Sequence, residues 1–411
     1  MLNRDIYSAA WETLVRDKAL ILLAGPRQVG KTTLARMLLR RHTNGLYFNW
    51  DIPDHRSRLV SDPLFFEADM VRRDESTPLV VFDELHKYRE WKNYLKGLTD
   101  RFGQDYRFLV TGSGRLEMFQ TMGDSLAGRY ALFHMWPVTL AEVSAARRDM
   151  EDFRSNPLRL DGGAGDLYEE WKKIMEFSGF PEPFLAARKD HWRRWARTHS
   201  HQLVREDIRD LTAIRNLESL QLLYESLLPP RVGSPVSLSK LSGILRVAHN
   251  TVTQWLLVLE KFYLIFRVRP WHRRISRAVV KEPKFYFFNL PLVREPAARF
   301  ENAVALELLR AVSLWNDLGW GDFTLNYVRD RDKREVDFLI ADEGEPLLLV
   351  ETKLSDRNPS PALRRFQELL RIPAVQLVHE VGPDEGFHLF TGSGGNKILV
   401  APAWQWLAQL P

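Results

Sequence analysis

The chain of 411 residues has no cysteine. That excludes disulfides, zinc–thiolate sites and thiol nucleophiles, and makes a reducing compartment the simpler expectation. Long apolar runs are missing too. Near the start the longest, Ala19 to Ala24, falls far short of the roughly 20 residues a membrane span needs. Asp17 and Lys18 precede it and a glycine-rich loop follows, which is not the layout of a signal peptide. The expectation is a soluble, cytoplasmic protein with no membrane partner. The eleven histidines show no H-E-x-x-H spacing, and His199-Ser200-His201 reads as a solvated turn rather than a zinc site. No G-x-S-x-G elbow supports a serine hydrolase. An N-K-x-D segment, which would read guanine, is absent, leaving adenine as the expected base. One-sided charge is lacking as well: 58 Lys and Arg face 53 Asp and Glu, a balance of only +5.

With 45% hydrophobic residues the chain has material for several cores, and its length suggests about two to four domains. Short apolar runs recur at Ala19 to Ala24, Gly45 to Trp50, Leu79 to Phe82, Tyr106 to Val110 and Ala131 to Met135, with room for helices between them. This is the rhythm of an α/β domain with a parallel sheet covered on both faces. The first run leads into Gly25-Pro26-Arg27-Gln28-Val29-Gly30-Lys31-Thr32, followed by Thr33, a full G-x-x-x-x-G-K-[ST] match in strand-to-helix context. The glycines let backbone N–H groups wrap an anion, Lys31 reaches the β and γ phosphates, and the Thr32 hydroxyl can join a Mg²⁺ shell.

The run Leu79 to Phe82 ends in Asp83-Glu84. Asp83 would hold the magnesium shell and Glu84 would polarise the attacking water. The next strand ends in Thr111-Gly112-Ser113, so Thr111 or Ser113 could sense the γ phosphate if that strand is inserted between the two motif strands. Arg129, in Ser125-Leu126-Ala127-Gly128-Arg129, is the candidate arginine finger, in cis or from a neighbouring subunit, which keeps a homo-oligomer open.

These residues resemble a family of bacterial and archaeal AAA-type ATPases that carry a C-terminal domain of unknown function, number 4143. The resemblance continues through Pro137 to Glu142, Gly179-Phe180-Pro181-Glu182, Phe300-Glu301-Asn302, Glu335-Val336-Asp337-Phe338 and Glu351-Thr352-Lys353. It implies an ATPase domain, a winged helix and a nuclease-like C-terminal domain.

From Ser237 to Phe266 the apolar spacing suggests two helices and a tight turn: Leu238, Leu241, Ile244 and Leu245, then Val252, Trp255, Leu256, Leu259 and Phe262. A second helix starting near His249 would present Asn250, Thr251, Thr253 and Gln254 outward, toward base edges or phosphates. Arg246 stands where such turns often have glycine. Lys261 to Lys284 holds eight Lys or Arg against one Glu. A basic loop with Arg273, Arg274 and Arg277 would be the wing, facing a phosphate backbone. DNA is the expected partner.

From Phe300 the order reads helix, three strands, helix, strand. Strand alternation puts Glu351 and Lys353 on one face, and a hairpin can set Asp337 opposite, with Glu301 in the opening helix. Asp337 and Glu351 could hold Mg²⁺ or Mn²⁺ while Lys353 steadies a phosphate, which looks like the D…E-x-K core of restriction-type nucleases. The domain expectation is 1–145 for the ATPase core, 146–230 for a helical lid, 231–290 for the winged helix and 291–411 for a restriction-endonuclease-like domain. Its function would be ATP hydrolysis that biases a DNA-binding, nuclease-like assembly. Two alternatives stand beside it: an ATP-switched DNA-binding regulator without nuclease activity, and an ATP-dependent DNA endonuclease.

Overall fold

The computed structural model describes residues 2, 4–112, 126, 128–161, 167–209, 214, 216–272, 282–382, 386–391 and 397–411. They form two compact units, 1–136 with 261–263, and 137–260 with 264–411.

The first unit contains α1 (Asp5–Asp17), β1 (Leu20–Ala24), α2 (Lys31–Arg40), β2 (Gly45–Asn49), α3 (Pro53–Ser61), α4 (Phe65–Asp69), β3 (Leu79–Asp83), α5 (Trp91–Phe102), β4 (Arg107–Thr111) and β5 (Tyr130–His134). The strands pair in parallel in the order β2-β3-β4-β1-β5. β1 and β3 are buried along their whole length, as continuous apolar runs in a sheet covered on both faces must be. One face packs Leu22, Val80, Phe82, Phe108 and Val110 against Phe66, Trp91 and Leu95. β4 does insert between β1 and β3. That order sets the ends of the two motif strands on one edge of the sheet, separated by the end of β4.

The second unit opens with α6 (Leu140–Val143), α7 (Met150–Ser155), α8 (Leu167–Phe177), α9 (Pro181–Ala186), α10 (Lys189–Gln202) and α11 (Leu217–Leu222). Then come α12 (Leu238–Leu245), α13 (His249–Lys261) and the antiparallel hairpin β6 (Ile265–Pro270) and β7 (Lys284–Phe287). The chain continues with α14 (Pro296–Asp317), β8 (Phe323–Arg329), β9 (Glu335–Asp342), β10 (Glu345–Lys353), α15 (Pro361–Leu370), β11 (Ala374–Val378), β12 (His388–Thr391), β13 (Lys397–Pro402) and α16 (Ala403–Leu407). The end of β6 pairs with β8, so one eight-stranded sheet runs β12-β13-β11-β10-β9-β8-β6-β7. Leu363 and Phe366 of α15 share a core with Leu339, Ala341 and Leu349 of β9 and β10. Among the described residues no helix is long and apolar enough to cross a membrane.

α13 begins where its sequence pattern places it, with Val252, Trp255, Leu256 and Leu259 buried. α12 buries only Leu241, and Ile244, expected in the core, is 52% exposed. At about 100° per residue Leu238, Leu241 and Leu245 share one side of the helix while Ile244 falls at the margin of that stripe, toward solvent. It ends at Arg246 in the left-handed region, φ 53°. A side chain there is strained where glycine is not. Arg246→Gly is therefore expected to stabilise the protein by about 0.5–1 kcal/mol, read as a rise in the denaturation midpoint.

Glu307 of α14 is buried, and its Oε1 accepts a hydrogen bond from the backbone N–H of Leu140 at 2.8 Å. Burial pushes its pKa up to about 8. Between the unfolded value and about 8 the folded chain therefore holds a proton that the unfolded chain releases. Unfolding free energy must fall as pH rises through that window, by at most about 1.4 kcal/mol per pH unit, and level off above it. Glu307→Gln keeps the acceptor and removes the titration. The variant should gain on the wild type between about pH 5.5 and about pH 8.5 in chemical denaturation.

Candidate functional site

β1 runs directly into the loop Gly25 to Gly30, and α2 begins at Lys31. Gly25 has φ +144°, and a Cβ there would lie 2.1 Å from the Met135 carbonyl oxygen. Gln28 and Gly30 also have positive φ, 62° and 105°. Pro26 and Val29 are buried, Arg27 and Thr32 partly so, and Gln28 and Thr33 are exposed. The loop is held from below by a residue the motif does not announce. Arg4, itself buried, donates to the carbonyls of Val29 at 2.9 Å and Trp136 at 2.7 Å.

Lys31 is buried, and its Nζ donates to the carbonyls of Gly25 at 2.9 Å and Pro26 at 2.7 Å. Burial pulls its pKa down to about 8, against the pull of the Glu84 and Asp83 carboxylates. An ammonium desolvated in this way gains from an anion delivered into the loop.

Asp83 ends β3 with its carboxylate fully claimed. Oδ2 accepts from the Thr32 hydroxyl at 2.8 Å and from the Tyr47 phenol at 2.5 Å, and Oδ1 accepts from the Thr111 hydroxyl. Thr111 is thus a holder of Asp83, and its Oγ1 also accepts from the Glu84 backbone N–H at 3.4 Å. Burial and the neighbouring Asp83 push the Tyr47 phenol up, while the Arg36 guanidinium lies 4.8 Å over its ring. Tyr47 was not legible beforehand. It sits in the middle of β2, and only the pairing that puts β2 beside β3 brings it to Asp83. A hydroxyl and a carboxylate oxygen 2.8 Å apart are a donor set that suits Mg²⁺.

Glu84 follows in the left-handed region, φ 58°. Burial pushes its carboxyl up, opposed by Lys31 and Lys87. Lys87 Nζ lies 3.3 Å from Glu84 and 2.7 Å from Asp51, so the ammonium ties the acid to the end of β2. Ser113 lies outside the described residues. Arg129 does not reach this edge of the sheet. Tyr130 pairs with Leu20, at the start of β1, so Arg129 sits a strand's length from the loop, roughly 16 Å at about 3.3 Å per residue. There it pairs with Asp100 at 2.7 Å. A finger in cis is ruled out by that geometry.

In the second unit Asn250 and Gln254 are exposed on α13, and Thr251 and Thr253 are half-buried. The Thr253 hydroxyl is spent on the His249 carbonyl at 3.1 Å. Arg273, Arg274 and Arg277 lie outside the described residues. Two of the cations counted into the basic stretch are not surface charge: Arg267 pairs with Glu260, and Lys284 is fully buried.

Lys284 instead sits among the acids of the C-terminal candidate site. Its Nζ is 3.1 Å from Glu301, 2.7 Å from Glu335 and 3.8 Å from Asp337. Those carboxylates raise its pKa despite burial. Tyr286 donates to Glu301 at 2.6 Å. Burial and Asp337 push Glu301 up to about 7. Asp337 Oδ2 accepts from the backbone N–H of Thr352 at 2.9 Å and its hydroxyl at 2.6 Å. Lys353 donates to Glu351 Oε1 at 2.7 Å, the shared face expected of them. Glu351 Oε2 is buried with no hydrogen-bond partner, and burial pushes that carboxyl up.

Glu301, Asp337, Thr352 and Lys353 line a cavity of about 290 Å³ with Gly233. A Cβ on Gly233 would meet Glu301 Oε2 at 2.5 Å. The unpartnered Glu351 oxygen is what a cation would use. Yet Asp337 Oδ2 and the other Glu351 oxygen are already bonded, and Lys284, 3.8 Å from Asp337 Oδ1, supplies the positive charge. Among the described residues no group of three or more His, Asp or Glu is placed to hold a metal ion. As they stand, Asp337 and Glu351 do not make the expected Mg²⁺ or Mn²⁺ centre.

Three family models match: an AAA domain over residues 17–144, a domain of unknown function, DUF8612, over 168–297, and a second, DUF4143, over 297–389. The uncharacterized protein MJ1544 of Methanocaldococcus jannaschii is 22% identical over 99% of this chain and 91% of its own. The uncharacterized protein Rv2008c of Mycobacterium tuberculosis is 25% identical over 99% of this chain and 85% of its own. Among solved structures, the Walker-type ATPase PABY2304 of Pyrococcus abyssi aligns with TM-score 0.43 and 15% identity, over 71% of this chain and 95% of that one. The Aeropyrum pernix ORC1 protein, solved in complex with DNA, aligns with TM-score 0.32 and 17% identity, over 74% and 92%. The family matches, together with the sheet order and the two motif strands, place an AAA-type ATPase domain at the front of the chain. The chain thus carries an ATP-binding and ATP-hydrolysing AAA-type domain over residues 17–144 and a C-terminal DUF4143 domain over 297–389.

Proposed function

We propose that the loop Gly25 to Thr33 cradles the ATP phosphates, that Lys31 bonds them, that Thr32 and Asp83 hold magnesium, and that Glu84 takes the proton of the attacking water. The observation that carries this reading is the Thr32–Asp83 contact of 2.8 Å, with Glu84 as the next residue. Magnesium would neutralise charge on the β and γ phosphates. Arg4 fixes the cradle, and Thr111 and Tyr47 fix the carboxylate. Lys87 keeps Glu84 turned toward Asp51. A charge in trans, from Arg129 of another copy, would need self-association.

The same reading gives the second unit a DNA partner. The succession α12, α13 and the β6–β7 hairpin supports a winged-helix reading, and α13 carries Asn250 and Gln254 outward on a helix whose opposite face is core. Base-edge contacts of this type contribute about 1–3 kcal/mol. The double variant Asn250→Ala/Gln254→Ala is expected to bind duplex DNA at least about tenfold more weakly than the wild type, with basal ATP turnover unchanged. Unchanged duplex affinity in a fluorescence anisotropy titration would remove the DNA reading.

A restriction-endonuclease-like fold is supported by the succession α14, β8, β9, β10, α15, β11. A specific observation favours the second reading, an ATP-switched DNA-binding protein that does not cut. Lys284 stands where metal charge would otherwise be needed. No plasmid nicking with Mn²⁺ is expected. Nicking that Asp337→Ala abolishes would restore the endonuclease.

A further inference from the structure

A cavity of about 430 Å³ in the second unit belongs to neither site described above. Its walls come from α8, α10, the start of α14 and the residue after β11. Four cations line it, Lys172, Lys189, Arg193 and Arg299, of which Lys172 is paired with Glu169 at 2.5 Å. Its one carboxylate, Glu176, is engaged with Lys189 at 2.7 Å. Arg299 is half-buried, and it donates hydrogen bonds to neutral carbonyls, Val293 at 2.6 Å and Arg294 at 3.5 Å. Arg193 meets no acid among the described residues, nor does Arg197, which follows it on the exposed face of α10. A guanidinium taken partly out of water, hydrogen-bonded to neutral groups and sharing its one acid, Glu176, with Lys189, favours an incoming anion.

The floor is apolar and aromatic. Trp192 lines it with its indole N–H tied to Asn289 at 3.0 Å, which fixes the ring. His379 adds a neutral donor. Its Nδ1 accepts from the Trp171 indole at 3.2 Å, so its proton lies on Nε2, and burial lowers its pKa. A bare phosphate would not need the indole wall, and an apolar ligand would not need the two arginines. A base or nucleoside ring against Trp192 with phosphate on the arginines uses both.

We propose that this cavity binds a nucleoside phosphate, either a free nucleotide or an unpaired nucleotide of a single strand. Lys189, Arg193 and Arg197 are spaced four residues apart on α10, about 6 Å per step along the helix. A strand leaving the cavity would find its next phosphates there. The inference is independent of α13 and of the ATPase loop.

The test uses the full chain carrying Lys31→Ala, which disables the P-loop without filling the cavity with a competing nucleotide. Labelled dTMP and a labelled twelve-nucleotide oligo-dT are titrated separately. At least one should bind, and Arg193→Glu, an exposed charge reversal, should weaken it at least about tenfold. Trp192→Ala should weaken it too, while Arg89→Glu, an exposed position in the first unit, should not. Binding of dTMP that oligo-dT cannot exceed identifies a free nucleotide, and tight oligo-dT with weak dTMP identifies a strand; either supports the site. Failure of both probes to bind, or binding that ignores Arg193→Glu, overturns it. ATP turnover without nucleic acid should be the same in Arg193→Glu as in the wild type.

Discussion

Glu84→Gln is expected to slow ATP hydrolysis by about 10²–10⁴-fold, the range a positioned general base contributes, while leaving ATP binding intact. The carboxyl is already raised by burial, which brings its proton affinity closer to what a base needs near neutral pH. Gln has the same shape and keeps a hydrogen-bond acceptor for Lys87, so the loop geometry should survive. Lys31→Ala should behave differently. It removes the cation that the loop encloses, so both nucleotide affinity and turnover should be lost. Equilibrium binding of a fluorescent ATP analogue beside steady-state phosphate release separates the two. Equal binding loss in both variants would mean that Glu84 holds the loop rather than the water. Full turnover in Lys31→Ala would end the case for this loop.

The contrast between the two units shows which parts of a site can be read from a chain. The phosphate loop and Asp83-Glu84 were legible because each is contiguous, and the glycines, the lysine and the acids must be adjacent to do their work. The parallel sheet was legible because the buried strand Leu20–Ala24 is apolar throughout and Leu79–Asp83 is apolar up to the acid that ends it. What could not be read depends on pairing. Tyr47 reaches Asp83 only because β2 lies beside β3, and Arg4 reaches the Val29 carbonyl across 25 residues of chain. Arg129 looked well placed beside its motif but lies at the wrong end of β5, because a residue that precedes a parallel strand sits at the edge opposite the loop that follows β1. Lys284 misled in the same way. Counted among basic neighbours it reads as surface charge, yet it begins β7 on the face that meets α14 and β9, where acids await it.

Lys284→Met is the second large effect, and it tests whether that lysine is the resident cation of the C-terminal cluster. Removing one partner from a buried charge group costs about 3–5 kcal/mol, because the remaining charges have neither water nor a counterion. Here Glu301 and Glu335 would lose ammonium contacts of 3.1 and 2.7 Å, with Asp337 close behind. The chemical denaturation midpoint of the second unit should drop accordingly. Part of the loss should return as pH is lowered toward about 5, because protonating the stranded carboxyls relieves their repulsion. Glu301 leads in this, since its carboxyl already stands at about 7 with the lysine present. Combining Lys284→Met with Glu301→Gln should recover stability by the same logic. Mn²⁺ provides the sharper discrimination: it should stabilise Lys284→Met and leave the wild type unmoved if the ammonium occupies the place of a metal charge. Stabilisation of the wild type by Mn²⁺, lost in Asp337→Ala, would instead make the carboxylates a metal centre and Lys284 its neighbour.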